Sequence, residues 1–252
     1  MDSGLYETIF VRKSVRRYKS TPLSDGLLQD IVEHTRRLEP MLKGIKVEFK
    51  LVPGKMIKNL LPVKAPHYFA IFSENKEGYL TNAGFLIQQL DLYLSANGIG
   101  SCWLGIAKPA KVLEAASGFK FVIALAFGMP LHSLHRQSKL EFKRKPLEAI
   151  TNIQGMADLL EAVRFAPSAS NSQPWYFTES EGYIHAFCVR PGMIKAIFYA
   201  GLNKIDLGIA ICHFSIAARH FGKIIEFSDN EKGRANPPPG YYYNVSFKLR
   251  DV

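Results

Sequence analysis

Two long apolar stretches, at about Thr81–Asn97 and about Lys204–His220, constrain this 252-residue chain more than any other feature. In the first, Ala83, Phe85, Leu86, Ile87, Leu90, Leu92, Tyr93 and Leu94 cover most of the circumference of a helix, and a helix apolar nearly all round is buried centrally. The second aligns with it at an offset of 124, which sets Asp206, Gly208, Ile211 and Gly222 on Asn82, Gly84, Ile87 and Gly98. A shorter helical pair repeats at an offset of 128, Asp158–Arg164 on Asp30–Arg36, and the strand-like run Tyr242–Leu249 matches Phe121–Gly128. The same order of elements therefore occurs twice. An internal period of this length is no solenoid; it implies a duplicated domain, two copies related by a pseudo-two-fold axis.

The remaining periodicity predicts a helix at about Gly4–Val11, another at about Leu23–Leu38 capped by Ser24 or Asp25, and strands at Lys46–Val52 and Tyr68–Phe72. In the second half it predicts a helix over Met156–Ala166, and a stiff loop over Arg234–Gly240. A chain that is 47% hydrophobic is not disordered, and no apolar run reaches the roughly 18 residues of a membrane span. The start, MDSGLYETIFVRK, lacks the apolar core of a signal peptide, and Cys102, Cys188 and Cys212 have no paired spacing. Both point to a cytoplasmic globular protein. The 32 basic against 22 acidic residues favour an anionic partner. The basic residues concentrate in two segments, Arg12–Arg17 and His135–Lys145, which read as two solvated surfaces unless a ligand claims them. Aromatic residues are not interleaved with them at base-stacking spacing, which leaves nucleic acid resting on charge alone.

Three segments carry candidate chemistry. In Arg12-Lys13-Ser14-Val15-Arg16, a cation, a hydroxyl and a second cation recur at every other residue, which on an extended segment puts them on one side, as a phosphate needs. Ala166-Pro167-Ser168-Ala169-Ser170-Asn171-Ser172-Gln173-Pro174-Trp175 crowds hydroxyl and amide groups between two prolines, offering donors and acceptors to a polar heterocycle. Gly98-Ile99-Gly100-Ser101-Cys102-Trp103-Leu104-Gly105 reads as a glycine-punctuated loop whose backbone N–H groups can approach a ligand. Singly, these could be a surface turn, a capped helix end and a helix C-cap.

Together, RKSVRRY, APSASNSQPW and GIGSCWLG resemble the nitroreductase-like family of FMN-dependent oxidoreductases, whose marks are R-R-S-x-R-x-F, A-P-S-x-x-N-x-Q-P-W and G-L-G-S-C-W-x-G. The resemblance implies an α+β fold in which each of two repeats carries a mainly antiparallel sheet and long central helices. It departs from the family in order. RKSVRRY and GIGSCWLG fall in the first half and APSASNSQPW in the second, whereas ordinary members carry all three in each subunit of a two-fold dimer. The first half has Arg37–Lys43 where APSASNSQPW would recur, and the second has Lys145–Ile150 and Phe221–Glu226 in place of the other two. The expectation is a tandem, single-chain pseudo-dimer, repeat 1 over residues 1–145 and repeat 2 over 146–252, with one complete FMN site and one degenerate one.

By the same resemblance, Arg12, Lys13, Ser14 and Arg16 would bind the FMN phosphate and ribityl chain, joined by Arg144. Pro167, Ser168, Ala169, Ser170, Asn171 and Gln173 would hold the isoalloxazine, and Leu104 and Gly105 would supply backbone N–H groups near its reducible end. Trp103 and Trp175 read as packing residues rather than flavin-stacking ones. No acid–base pair or metal cluster stands out, and none is needed where the cofactor carries the chemistry. The implied reaction is ping-pong, with hydride from NADH or NADPH passing through FMN to a nitroaromatic or quinone, in a monomer. The alternatives are a flavin-binding or regulatory protein without turnover, or another flavin reaction on the same scaffold.

Overall fold

The computed structural model describes residues 4–60 and 62–252, with the side chains of residues 193–198 left aside. Along the chain come α1 (Leu5–Ile9), α2 (Asp25–Thr35), β1 (Val47–Val52), β2 (Ile57–Lys58), β3 (His67–Ser73), α3 (Tyr79–Ala96), β4 (Gly100–Leu104), β5 (Lys108–Pro109), α4 (Lys111–Ala115) and β6 (Lys120–Gly128). Then follow α5 (Ala157–Arg164), β7 (Trp175–Ser180), β8 (Tyr183–Val189), α6 (Met193–His220), β9 (Lys223–Ser228), α7 (Glu231–Ala235) and β10 (Tyr241–Asp251). The chain divides into two compact units. The N-terminal unit comprises Val11–Tyr79 and Leu86–Lys139; the C-terminal unit comprises Leu140–Val252, Leu80–Phe85 and the start of the chain through Phe10.

Each unit is built on one four-stranded antiparallel sheet, and the two sheets have the same topology. The orders are β1-β3-β6-β4 and β7-β8-β10-β9: in both, the first, second, fourth and third strands run side by side. In the N-terminal sheet, β3 is buried throughout. Tyr68, Ala70 and Phe72 face a cluster that includes Cys102, Leu104, Ala124 and Ala126, roofed by the β2/β5 pair, while Phe69 stacks on Phe127 on the opposite face with ring centroids 5.1 Å apart. A strand covered on both sides is an unbroken apolar run rather than an alternating one, as its sequence HYFAIFS is. In the C-terminal sheet, α6 packs against β7, β8 and β9. On the other face Gly233 of α7 lies against His185, whose ring is held between the hydroxyls of Ser180 (2.7 Å) and Ser246 (2.8 Å).

The helices end where glycine allows. Gly98 (φ +81°) and Gly222 (φ +71°) each follow a long helix in the left-handed conformation, and after α3 the Ile99 N–H donates back to Leu94 O at 2.9 Å, closing a Schellman turn. Ser24 caps α2, its hydroxyl accepting from Leu27 N–H. Three expectations need correction. GIGSCWLG is largely strand β4, because Gly100–Leu104 pair with Gly128–Ala124 of β6. The second long helix begins at Met193 rather than Lys204; Gly201 is carried inside it, its nearest neighbour being Leu80 at 3.7 Å from a built Cβ. Arg234 and Ala235 close the short helix α7 instead of opening a loop.

Within the C-terminal unit, the start of α3 crosses α6 in direct backbone contact. A Cβ on Gly84 would lie 2.1 Å from Ile205 O, and a Cβ on Gly208 would lie 2.0 Å from Thr81 O. These contacts are reciprocal, since Ile205 stands to Thr81 as Gly208 stands to Gly84, at the same offset of 124. Only glycine permits this approach. Gly84→Ala and Gly208→Ala should each destabilise the fold by about 1–3 kcal/mol or more through overpacking. Gly26→Ala, at a helical position with nothing within 4 Å, should be neutral or stabilising by up to about 1 kcal/mol. Urea denaturation of the three variants checks this ranking.

Candidate functional site

The two basic segments of the sequence meet in the N-terminal unit up to Lys139. Val15 N–H donates to Ser101 O (2.8 Å), laying residues 12–18 along the edge of β4, where Gly100 leaves room for the Val15 side chain. The next segment runs antiparallel to it, with Lys19 N–H on Met129 O, Leu131 N–H on Arg17 O and Arg136 N–H on Val11 O, at 2.8–3.0 Å. The side chains do not share one side, as strict alternation predicts. Arg12 is buried, Lys13 and Ser14 are half-buried and Arg16 is exposed.

Arg12 turns inward because a carboxylate waits there. Its Nε lies 2.5 Å from Asp91 Oδ2, with Arg12 only 4% exposed and Asp91 fully buried. Asp91 Oδ1 also accepts from the Ser101 hydroxyl, and Arg12 Nη2 donates to Ser14 Oγ at 3.3 Å. Arg136 donates to the Arg12 carbonyl, and His135 Nε2 lies 3.1 Å from Ser95 Oγ. Lys13 Nζ rests on Ser133 Oγ at 2.8 Å. Among the described residues, Lys13, Arg16 and Arg17 have no carboxylate in ion-pair range. Leu104 ends β4 fully buried, and Gly105 beyond it is exposed.

In the C-terminal unit, the loop from Pro167 to Gln173 is held in an unusual backbone. Ser170 (φ 52°), Asn171 (φ 56°) and Gln173 (φ 48°) all adopt the left-handed region that non-glycine residues avoid. The other such residue, Glu181, needs no special account, since it and Gly182 (φ 72°) form the two-residue turn between β7 and β8. The loop is pinned from several directions. Both oxygens of Asp206 accept from Ala169 N–H, at 3.1 and 3.0 Å. Ser168 Oγ accepts from Gln173 N–H (2.9 Å), and the buried Gln173 side chain accepts from Lys145 N–H (2.8 Å) and donates to Asn171 O (3.1 Å). Asn171 receives Arg144 on its Oδ1 and donates to Lys143 O at 2.6 Å. Ser170 Oγ lies 3.3 Å from the Tyr199 hydroxyl, and Ser172 Oγ is buried with no hydrogen-bond partner. Pro167 is buried beneath.

The structure thus unites the expected residues in two groups: Arg12 and Ser14 with the β4 edge in one unit, and Arg144 with the Pro167–Gln173 loop in the other. Trp175 is fully buried, as a packing residue should be. Sequence reasoning missed Asp91, Asp206 and Lys145. The first two had a signal: Asp91 is the lone charged residue of α3 and Asp206 the lone acid of α6, and a charge on an apolar helix is buried for a reason. Burial raises the Asp206 carboxyl well above the carboxylate range, opposed by the Ala169 N–H, and burial lowers Lys145.

A profile of the family described as “Putative TM nitroreductase” matches residues 4–218. Among solved structures, the chain is similar to a “putative nitroreductase” from Thermotoga maritima, at 22% identity and a TM-score of 0.64, covering 97% of this chain and 92% of that one. It is also similar to a nitroreductase family protein from Clostridium difficile (14% identity, TM-score 0.47, 59% of this chain and 96% of that one). An FMN-dependent nitroreductase from the same species gives 19% identity and a TM-score of 0.44, over 55% of this chain and 96% of that one. No curated protein matches the sequence.

The buried Asp206 predicts a pH dependence. Its folded pKa is raised above the unfolded value, so its contribution to stability is full below the ordinary carboxylate range and is lost as pH rises through the folded pKa. Asp206→Asn keeps an acceptor for Ala169 N–H and cannot ionise. Its stability relative to the unaltered chain should therefore rise from about pH 4 to about pH 8, read as the difference in Tm across that range.

Proposed function

The chain belongs to the nitroreductase family, and from that premise we propose that it is an FMN-dependent oxidoreductase fed by NADH or NADPH. It has the nitroreductase-like α+β fold, and among the described residues no helix is long and apolar enough to cross a membrane. The observation that carries the flavin reading is the Pro167–Gln173 loop. Three left-handed non-glycine residues in one loop cost of order 1–3 kcal/mol each, and the buried Asp206 and Gln173 with the half-buried Lys145 hold the loop so against that cost. The exposed Ser170 and Asn171 suit the polar edge of an isoalloxazine. Lys13 and Arg16, cations without a carboxylate partner among the described residues, suit a phosphate dianion.

Bound FMN would supply the redox chemistry, taking a hydride from the nicotinamide and giving two electrons to an acceptor such as a nitroaromatic or quinone. The residues of the chain bind and orient. Lys13, Ser14 and Arg16 would hold the phosphate end, and Ser168, Ser170, Asn171 and Gln173 would hold the ring, with Pro167 and Ala169 shaping that loop. The backbone at Leu104 and Gly105, where β4 ends, would serve the reducible edge. Arg144 serves by fixing Asn171, to which it donates. The identical strand orders and the reciprocal glycine contacts support a duplicated chain, residues 1–145 and 146–252, that acts as a monomer with one flavin site. Its cysteines, Cys102, Cys188 and Cys212, are buried and in no disulfide, which suits a reducing cytoplasm.

Loaded with FMN and desalted, the protein should retain about one flavin per chain and bleach anaerobically on addition of NADH or NADPH. Two flavins per chain would overturn the single site, and retention without bleaching would leave a flavin-binding protein without turnover. Lys13→Ala combined with Arg16→Ala should weaken FMN roughly ten- to hundredfold, and riboflavin little, since hydrogen bonds to charged groups are worth about 1.5–3 kcal/mol. Fluorescence titration reads both.

A further inference from the structure

We propose that Asp91 is a positioning residue for phosphate recognition, acting through Arg12 on the hydroxyl of Ser14. This rests on the FMN reading. Arg12 is the first cation of the segment, yet the structure spends its charge internally: Nε on Asp91 at 2.5 Å, 4% exposed against a fully buried carboxylate. A guanidinium so paired adds little net charge toward an anion outside. What it retains is a directed donor, Nη2, aimed at Ser14 Oγ at 3.3 Å.

A serine hydroxyl has one proton to give and two lone pairs to receive. With one lone pair taken by Arg12, the Ser14 proton is left to donate, and an anionic oxygen is the acceptor it suits. Asp91 in turn cannot swing, because its other oxygen receives the Ser101 hydroxyl of β4, and Ser101 O also takes Val15 N–H at 2.8 Å. One carboxylate therefore fixes helix α3, strand β4 and the anion-binding segment in a single register. Lys13 and Arg16 supply charge, and Ser14, set by Asp91 through Arg12, supplies direction.

The test compares FMN with riboflavin, which lacks the phosphate, by fluorescence titration of the full chain. Ser14→Ala should lower the preference for FMN over riboflavin about tenfold. Asp91→Asn should lower it by the same factor, and Asp91→Asn with Ser14→Ala should lose no more than Ser14→Ala alone. Asp91→Asn leaves a cation buried without its partner and can unfold the chain. Arg12→Gln with Asp91→Asn removes both charges and should show the same loss of preference in a folded protein. Losses that multiply, an unchanged preference in the charge-free pair, or tighter FMN binding on Asp91→Asn would each overturn the proposal and leave the flavin reading standing. Failure of the unaltered chain to bind FMN would overturn both.

Discussion

The crossing of α3 and α6 at Gly84 and Gly208 is the constraint on which the other contacts of the C-terminal unit depend. Backbone meets backbone there, with room for no Cβ on either helix. Such a contact fixes the axial position of each helix to within a fraction of a turn, because any slide drives a side chain into a carbonyl. Asp206 lies two residues before Gly208, and Asp91 seven residues, about two turns, after Gly84. Within the C-terminal unit the crossing thus sets the height at which α6 presents Asp206, while the later part of α3 carries Asp91 in the N-terminal unit. Asp206 meets the Ala169 N–H of the strained loop, and Asp91 meets Arg12 of the basic segment.

The two carboxylates solve the cost of burial differently. Asp91 has a guanidinium and a hydroxyl, so its negative charge is balanced in place. Asp206 has a backbone N–H, and burial pushes its carboxyl toward the protonated form. The ion pair adds no net charge of its own, so the field of the basic segment is left to Lys13, Arg16 and Arg17. What Asp206 supplies to the loop is geometric, a pair of buried oxygens that accept the Ala169 N–H beside three left-handed residues.

Much of the fold was legible in the sequence because it depends on periodicity and glycine. The apolar circumference of α3, the stop at Gly98, the copy of both in α6 and Gly222, and the buried strand β6 all follow from pattern alone. The strand β4 was not legible, since Gly100 reads as a turn signal. Its glycine is there because Val15 lies against it, a contact between residues far apart in sequence. The start of α6 was hidden because Gly201 disfavours a helix, yet it is carried exposed inside α6 with nothing packed closely against it. At the candidate site, composition named the loop and the basic segment. It could not say that Arg12 points inward, because alternation along a strand assumes a flat, one-sided environment. Asp91 is a stronger attractor than any solvent-facing anion.

The symmetry of the frame and the asymmetry of the chemistry have separate physical causes. Strand order and helix crossing are set by apolar and glycine positions, and these recur in both halves. The polar loops are set by side chains that the frame does not need, and these have diverged. At the position of Phe165–Trp175 in the second half, the first carries Arg37–Lys43, and there the side chain of Gln89 on α3 takes both backbone groups of Glu39, accepting from its N–H at 3.2 Å and donating to its carbonyl at 2.8 Å. A glutamine that satisfies a loop's backbone from within removes the donors and acceptors that a ligand's edge would use. The corresponding loop of the second half is held instead by Asp206 from beneath and Lys145 from the side, and its outer groups at Ser170 and Asn171 remain exposed. The Glu39 loop is thus closed by a side chain of its own unit, while the Ser168–Gln173 loop keeps three left-handed residues against their strain.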